Sequence, residues 1–215
     1  MSYNEVKSFF SASFFYIMER KRKGEQEVME LLRQETGWDT PQLINLLILI
    51  MTFSGVFGFI YEELFYRIDL GYFTKRGSTF GPWIPIYVFG GGAYTLLVYP
   101  FKENPLLVFV LCCVVSGTME YVTGWVLYNV FHTRLWDYNT EIWNFGNVDG
   151  YICCRSVLFF GISGMALIYV VIPLLIRLMQ MADPGIMTII CRCLAVLFAA
   201  DCVSYRIYKT KREEK

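Results

Sequence analysis

The feature that most constrains this chain is the grouping of its apolar residues into long uncharged blocks. The first block starts at Thr40 and contains no charged residue through Tyr61. A helix of this length would extend about 33 Å, enough to cross the hydrocarbon core of a bilayer. Hydrophobic residues make up 55% of the chain, whereas a soluble domain is usually about 45–50% apolar. The blocks therefore predict an integral membrane protein.

The remaining blocks predict an all-α fold, a polytopic transmembrane helical bundle of four to five spans. Residues 5–18 are too short to span and follow helical spacing, which predicts an interfacial amphipathic helix, and 25–36 predict a polar helix. The predicted later spans are about 106–131, 156–176 and 185–205. The predicted domains are an N-terminal cytoplasmic or interfacial part (1–40), a transmembrane part (41–205) and a basic tail (206–215).

The segment RGSTFGPWIPIYVFGGG, residues 76–92, is the element on which the topology depends. Basic residues flank both ends of the chain, so both termini are expected on the cytoplasmic side. Four full spans satisfy this expectation and five do not. The two prolines of the segment, the following Pro100 and the glycine triplet favour a non-helical or re-entrant element, which survives at membrane depth only where protein or a water-filled cavity surrounds it. A short tilted helix over 84–99 is the alternative.

Glu120 is the most informative polar residue because it lies past the middle of a predicted span. A carboxylate at the bilayer centre costs about 3 kcal/mol even on lenient insertion scales. Small or polar residues, among them Ser116, Gly117 and Gly124, share its helix face. Glu62 follows a similar stripe in the first span. Both carboxylates are therefore predicted to face a shared polar chamber, although a helix-packing role for Glu120 is the alternative.

Two charged residues in the last span, Arg192 and Asp201, are nine positions apart and so lie on opposite helix faces. Each is expected to have a partner elsewhere or to reach a membrane interface.

The loop between the predicted spans, starting near His132, is rich in Trp, Tyr, Asn and charged residues, which predicts an ordered interfacial loop. The seven cysteines form no C-x-x-C pair, and the single histidine gives no zinc-like cluster, so neither a metal nor a cofactor is expected. Lys and Arg together number 19, as do Asp and Glu, which excludes the basic face that nucleic acid requires. Walker A, G-x-S-x-G and H-E-x-x-H motifs are absent.

Five segments, taken in order, resemble a bacterial membrane family: GFIYEELF, KRGSTFGPWIPIYVFGGG, MEYVTGW, FHTRLWDYN and NFGNVDGYICCRSVLFFG. The family is the ABC-transporter type IV permeases, of the CmpB type, and the resemblance covers about residues 50–205. One departure is Tyr151, which stands where the family pattern has Arg. The resemblance implies a multi-pass protein of the cell membrane with a role in transport.

The sequence and the resemblance together predict a permease subunit that binds a small solute or ion between its helices. The lipid bilayer, a separate ATPase subunit and a second copy of the chain are the expected partners. Two alternatives stay open: a membrane-embedded enzyme acting on a lipid or isoprenoid, in which His132 and two carboxylates would converge, and a non-catalytic sensor or assembly factor. The predicted ligand-binding residues are Glu62, Arg76, Tyr87, Glu120, His132, Trp136, Asp137, Tyr138 and Asn144. The predicted structural residues are Gly77, Gly81, Pro82, Pro85 and Gly150.

Overall fold

The computed structural model describes residues 26–72 and 77–213, and over these residues the chain is all-α, as predicted. The predicted helix at 5–18 and the candidate ligand Arg76 lie outside the described residues. Besides its α-helices, the chain has a 3₁₀ turn (Tyr99–Phe101) and a π-helical turn (Leu167–Val171). The helices are α1 (26–36), α2 (Thr40–Leu70), α3 (Pro85–Leu97), α4 (Pro105–Asn129), α5 (Cys154–Ala166), α6 (Ile172–Met181) and α7 (Pro184–Glu213).

Within the described residues, four helices are long and apolar enough to cross a membrane. They are Thr40–Leu70, Pro105–Asn129, Cys154–Met181 and Pro184–Arg212. These helices coincide with the four predicted apolar blocks, so the chain is a multi-pass membrane protein. The third of them consists of α5, the π turn and α6, and Pro173 is the second residue of α6. Proline cannot donate the usual backbone hydrogen bond, which accounts for a local departure from α geometry.

The glycine triplet does not break its helix. Residues 77–84 are non-helical, as the prolines predicted, but Gly90, Gly91 and Gly92 lie inside α3, so the expectation of a break there is wrong. The glycines serve packing instead, since a Cβ on Gly91 would lie 2.2 Å from the Ser54 hydroxyl oxygen of α2. Small residues at this position let the two helix backbones approach closely.

The non-helical segment and α3 together traverse the bundle. The segment enters beside the middle of α2, where the Ile84 N–H donates to the Gly55 carbonyl at 3.2 Å. The α3 helix then runs back toward the start of α2, and beyond it the Tyr99 hydroxyl donates to Glu35 of α1 at 2.8 Å. Its 13 residues are too few to cross alone, since they extend only about 20 Å. The non-helical residues supply the rest of the traverse.

This extra traverse places the two ends of the described chain at opposite ends of the bundle. The α7 helix runs parallel to α2, because Asn45 near the start of α2 donates to Thr188 near the start of α7 at 2.9 Å. At the far end of α7, Arg206 lies over the Phe131 ring beyond the end of α4. The two ends of residues 26–213 therefore lie at opposite ends of the bundle, and the side of the membrane on which each chain end lies stays a prediction.

Asp201 accepts hydrogen bonds from the non-helical backbone between the spans. Its carboxylate accepts from the backbone N–H groups of Phe80 and Gly81, at 2.9 and 2.8 Å, and from the Trp83 indole at 2.6 Å. The Thr79 hydroxyl donates to the Trp83 carbonyl at 2.6 Å. Asp201 thus finds partners on another element, as its separation from Arg192 predicted, and it fixes the broken traverse against α7.

The buried hydrophobic core occupies the end of the bundle that contains α1. It combines side chains from α1, the first half of α2, the end of α3, the start of α4 and the π turn with α6. Its fully buried members include Val28, Leu46, Ile50, Val108 and Ile172. The opposite end, where α2 and α4 finish and α5 begins, carries the polar groups described next.

Candidate functional site

A cavity of about 410 Å³ lies between α2, α3, α4 and α5. This volume is in the range of about 300–1,000 Å³ that is usual for small-molecule sites. The lining is mostly aromatic and aliphatic, and its carboxylates and guanidinium lie at one end, where the loop between α4 and α5 covers it. The sequence predicted a shared polar chamber, whereas the structure has a shared cavity that is polar at one end.

The cavity exists because the helices pack as two close pairs. In the pair α2–α3, a Cβ on Gly58 would lie 2.1 Å from the Tyr87 ring. In the pair α4–α5, a Cβ on Gly161 would lie 2.5 Å from the Cys113 sulfur. Between the pairs, α2 and α5 meet through aromatic rings, with Tyr61 stacked on Phe159 at a centroid distance of 3.8 Å. We call this contact, together with the Phe57–Phe159 stack at 6.5 Å, the aromatic seam.

Glu120 forms the back wall of the polar end. Its side chain is only 6% exposed, and its two oxygens accept from the hydroxyls of Tyr138 and of Ser156, the latter at 2.8 Å. Burial, followed by the neighbouring Glu120 charge, raises the pKa of Tyr138 well above its ordinary value. The phenol therefore keeps its proton and acts as the donor to Glu120. The predicted helix-packing bonds and the predicted cavity position of Glu120 are both present.

A second polar group, Glu141 with Arg155, closes the same end. The guanidinium donates to Glu141 at 2.7 Å, and the other Glu141 oxygen accepts from the Tyr66 hydroxyl. The guanidinium also lies over the Phe65 ring, 4.1 Å from its centroid, and within 5.5 Å of the Tyr138 centroid. Its Nε and Nη1 atoms are buried and have no hydrogen-bond partner among the described residues. The faces of the two rings therefore compensate part of the buried charge.

Five of the predicted ligand-binding residues line the cavity: Glu62, Tyr87, Glu120, Trp136 and Tyr138. They come from α2, α3, α4 and the loop, so the fold brings together residues separated by up to 76 positions.

Three other predicted residues are not part of the lining. His132 is exposed, with a positive φ of 49°. Asp137 pairs with Arg134 at 2.6 Å. Although burial raises the pKa of Asp137, hydrogen bonds from the Asn139 backbone and from Arg134 outweigh it and lower the pKa overall. Asn144 donates to the Tyr138 carbonyl at 2.9 Å and so positions the loop.

The predicted structural residues lie where the backbone turns. Gly77 and Gly150 have left-handed φ angles of 81° and 76°, which glycine adopts without steric cost. A Cβ on Gly81 would lie 3.0 Å from the Asp201 carboxylate. Pro82 is exposed in the non-helical segment, and Pro85 opens α3.

With this geometry in place, the family can be decided. The family model described as "Putative ABC-transporter type IV" matches residues 49–205, which is most of the chain. The chain belongs to this family. No curated protein and no solved structure is significantly similar to it. The matched region of this ABC-transporter type IV protein contains every residue that lines the cavity.

The sequence did not identify three polar residues of the type IV cavity: Glu141, Arg155 and Ser156. In the sequence, Arg155 falls at the end of the predicted interfacial loop, and Ser156 at the start of the predicted span 156–176. Glu141 follows the polar loop residues Asn139 and Thr140, where a carboxylate is usually solvated, yet Glu141 is only 8% exposed. No local pattern marks it, because its burial results from Tyr66 and Arg155, which are 75 and 14 positions away.

The enzymatic alternative required His132 to approach two carboxylates. His132 is exposed and outside the cavity. Over residues 26–72 and 77–213, no group of three or more His, Cys, Asp or Glu side chains is arranged to hold a metal ion. The transport hypothesis required a cavity that reaches Glu120, and the cavity does reach it.

Proposed function

We propose that this protein is the membrane-embedded permease component of an ABC-type transport system and that the cavity is its binding site for a small solute or ion. The observation that carries the proposal is that Glu62 and Glu120, from two different spans, line one cavity between the helices. Family membership supports the transport role.

Energetics support a functional reading of these carboxylates. An ionisable group inside a span costs several kcal/mol and is usually retained where it serves a pathway or a site. Glu120 makes two hydrogen bonds that offset part of this cost while its side chain still borders the cavity. Broken traverses, such as the one at residues 77–97, are also where transporters commonly place their sites.

The packing suggests which parts move. The pairs α2–α3 and α4–α5 are held by close glycine contacts, so each pair moves as a unit. The aromatic seam between the pairs opens and closes the cavity. A separate ATPase subunit supplies ATP hydrolysis, the chain acts as a homodimer in the cell membrane, and residues 1–40 and 206–215 flank the transmembrane part at the membrane interfaces.

The proposal is tested by identifying small molecules that co-purify with the protein in lipid nanodiscs, by mass spectrometry. Gly90→Phe is the occluding variant, because Gly90 lines the cavity and its Cβ would meet no atom within 4 Å. Gly92→Ala is the matched control on the same helix, since Gly92 is outside the lining and its Cβ would make ordinary contact with Met51 at 3.5 Å.

Wild type and Gly92→Ala are expected to retain one enriched ligand that Gly90→Phe loses. Glu120→Gln, which keeps the shape and removes the charge, is expected to lower its occupancy. The same ligand set in all four proteins, or no enriched ligand in wild type, would overturn the proposal.

A further inference from the structure

We infer that the ligand of the cavity is a neutral amphiphile taken up from the bilayer, an apolar chain ending in an oxygen that accepts hydrogen bonds from Arg155. The inference rests on the proposed function and specifies the chemistry of the same site. Three observations carry it: the unpartnered N–H groups of Arg155, the order of polar and apolar groups along the cavity, and the side on which the cavity opens.

Hydrogen-bond donors, rather than acceptors, are left without partners at the polar end of the cavity. Both oxygens of Glu120 accept from hydroxyls, and the two oxygens of Glu141 accept from Tyr66 and from Arg155. Glu62, the third carboxylate of the lining, also has an interaction partner. The Nε and Nη1 atoms of Arg155, by contrast, are buried without a partner among the described residues. Because a buried donor without an acceptor is costly, the group that completes this end is an acceptor.

A ligand in the cavity can supply this acceptor, because Arg155 itself belongs to the lining. Its guanidinium packs over the Phe65 ring and beside the Tyr138 ring, and both rings line the cavity as well. A rotation of the Phe65 ring therefore brings the covered N–H groups within reach of a ligand oxygen. The neighbouring Cys153 thiol does not replace such an oxygen, because sulfur is a weak acceptor.

The charges around Arg155 favour a neutral head group. The guanidinium is paired with Glu141 at 2.7 Å, and the Glu120 carboxylate is held by two uncharged hydroxyls. An anionic head would add a negative charge near both carboxylates, and a cationic head would approach the guanidinium and leave its N–H groups unpaired. A charge also costs more to bring into an apolar cavity than a neutral oxygen does. A carbonyl or ether oxygen meets all of these conditions.

The polar and apolar groups are separated along the length of the cavity. Ser156 lies at the polar end, and Leu167 and Val171 of the π turn lie at the other. Ser156 and Val171 are 15 positions apart along one helical rod, which corresponds to about 20 Å. A molecule with one polar end and an apolar chain matches this order. The cavity volume of about 410 Å³ suits a single chain of this kind.

The cavity opens toward the lipid-facing surface. Three of its lining side chains are substantially exposed: Phe53 by 42%, Phe57 by 40% and Ile162 by 64%. Phe53 and Phe57 belong to α2 and Ile162 to α5, so the opening lies between these helices. Exposed apolar side chains on a membrane span face acyl chains, and a molecule dissolved in the bilayer reaches the cavity directly from this side.

The test uses three radiolabelled probes that share a decyl-length chain and differ in the head group: methyl decanoate is neutral, decanoate anionic and decyltrimethylammonium cationic. Methyl butanoate, which has the neutral head on a short chain, tests the need for the chain. Binding to the full-length protein in nanodiscs is measured by equilibrium dialysis, and partitioning into protein-free nanodiscs is subtracted.

The variants separate the donors of Arg155 from its charge. Arg155→Lys keeps a cation beside Glu141 and removes the Nε–H group and the planar fork of donors. Arg134→Lys is the matched control, because Arg134 also pairs with a carboxylate, that of Asp137 at 2.6 Å, and is outside the lining. Gly90→Phe blocks the cavity. Each protein is purified by size exclusion before dialysis, so that only folded protein is compared.

Saturable binding of methyl decanoate is expected in wild type and in Arg134→Lys, and the other three probes are expected to show none. Arg155→Lys is expected to weaken this binding about tenfold, through loss of hydrogen bonds from a charged donor, and Gly90→Phe to abolish it.

Three outcomes would overturn the inference: no saturable binding of methyl decanoate, binding that Arg155→Lys leaves unchanged, or equal or tighter binding of any of the other three probes. If one of these is found while the co-purified ligand is still lost from Gly90→Phe, the ligand class is wrong and the proposed site stands. If the co-purified ligand is also indifferent to Gly90→Phe, both proposals fail.

Discussion

The three consecutive glycines of α3 meet different surroundings, so the same substitution is expected to have different effects at each. A Cβ on Gly90 would meet no atom within 4 Å, and on Gly92 the nearest atom would be in Met51 at 3.5 Å. On Gly91 it would lie 2.2 Å from the Ser54 hydroxyl oxygen and 3.3 Å from the Ile50 carbonyl. The last contact is with backbone, which cannot turn away as a side chain can.

The magnitudes follow from two opposing effects. Replacing glycine by alanine inside a helix stabilises it by about 0.5–1 kcal/mol. Gly90→Ala and Gly92→Ala are expected to gain this amount. At Gly91 the overlap with α2 adds an overpacking cost of about 1–3 kcal/mol. Gly91→Ala is therefore expected to be less stable than Gly92→Ala by about 1–3 kcal/mol, and less stable than or equal to wild type.

The assay is thermal unfolding of the three variants in identical nanodiscs. For a chain of this size, 1 kcal/mol shifts Tm by about 2–4 °C, so Gly91→Ala should unfold at least about 2 °C below Gly92→Ala. Ser54→Gly combined with Gly91→Ala should recover much of the loss, because it removes the overlapping side chain. Equal Tm shifts for all three alanine variants, or no recovery in the double variant, would refute the argument that Gly91 sets the α2–α3 distance.

Three further substitutions test the remaining contacts. Asp201→Asn should destabilise the protein by about 2–4 kcal/mol and speed hydrogen exchange of the Phe80 and Gly81 amides, which donate to this carboxylate. Asp183→Asn is the control on the same helix and should have little effect, because asparagine can still cap the helix start. Arg155→Met should cost about 3–5 kcal/mol by leaving Glu141 buried without its partner, and adding Glu141→Leu should restore part of it in a double-mutant cycle. Gly150→Ala should increase proteolysis of the loop between α4 and α5, because φ is 76° there and a Cβ would lie 2.4 Å from the paired Asp137 carboxylate.

The spans and the inward face of Glu120 could be predicted because both depend on local sequence. A run without charge from Thr40 to Tyr61 leaves few alternatives to a membrane helix. The face of Glu120 follows from helical spacing, and Ser116, Gly117 and Gly124, which were predicted to share it, are buried with it. Periodicity and composition are sufficient for features of this kind.

The partners of buried polar groups could not be predicted, because they are distant in sequence. Asp201 binds backbone groups that are 120 and 121 positions away, and Glu120 accepts from Ser156, 36 positions away. The role of Gly91 was also hidden: a glycine triplet is compatible with a flexible break and with close helix contact. Only the position of α2 beside α3 distinguishes the two.

The side on which each chain end lies depends on the same broken traverse. Basic residues at both ends predicted an even number of crossings. A count of charges cannot detect whether a short helix and the non-helical segment that Asp201 binds together form a further crossing. If residues 77–97 complete a crossing, a cysteine in α1 and one near the end of α7 must lie on opposite sides of the membrane. Glu27→Cys and Thr210→Cys, both at exposed positions, test this with a membrane-impermeant thiol reagent in intact cells and in lysed cells, with the unsubstituted chain as background. One position is expected to react in intact cells and the other only after lysis. Reaction of both under the same condition would mean that the segment returns to the side from which it entered.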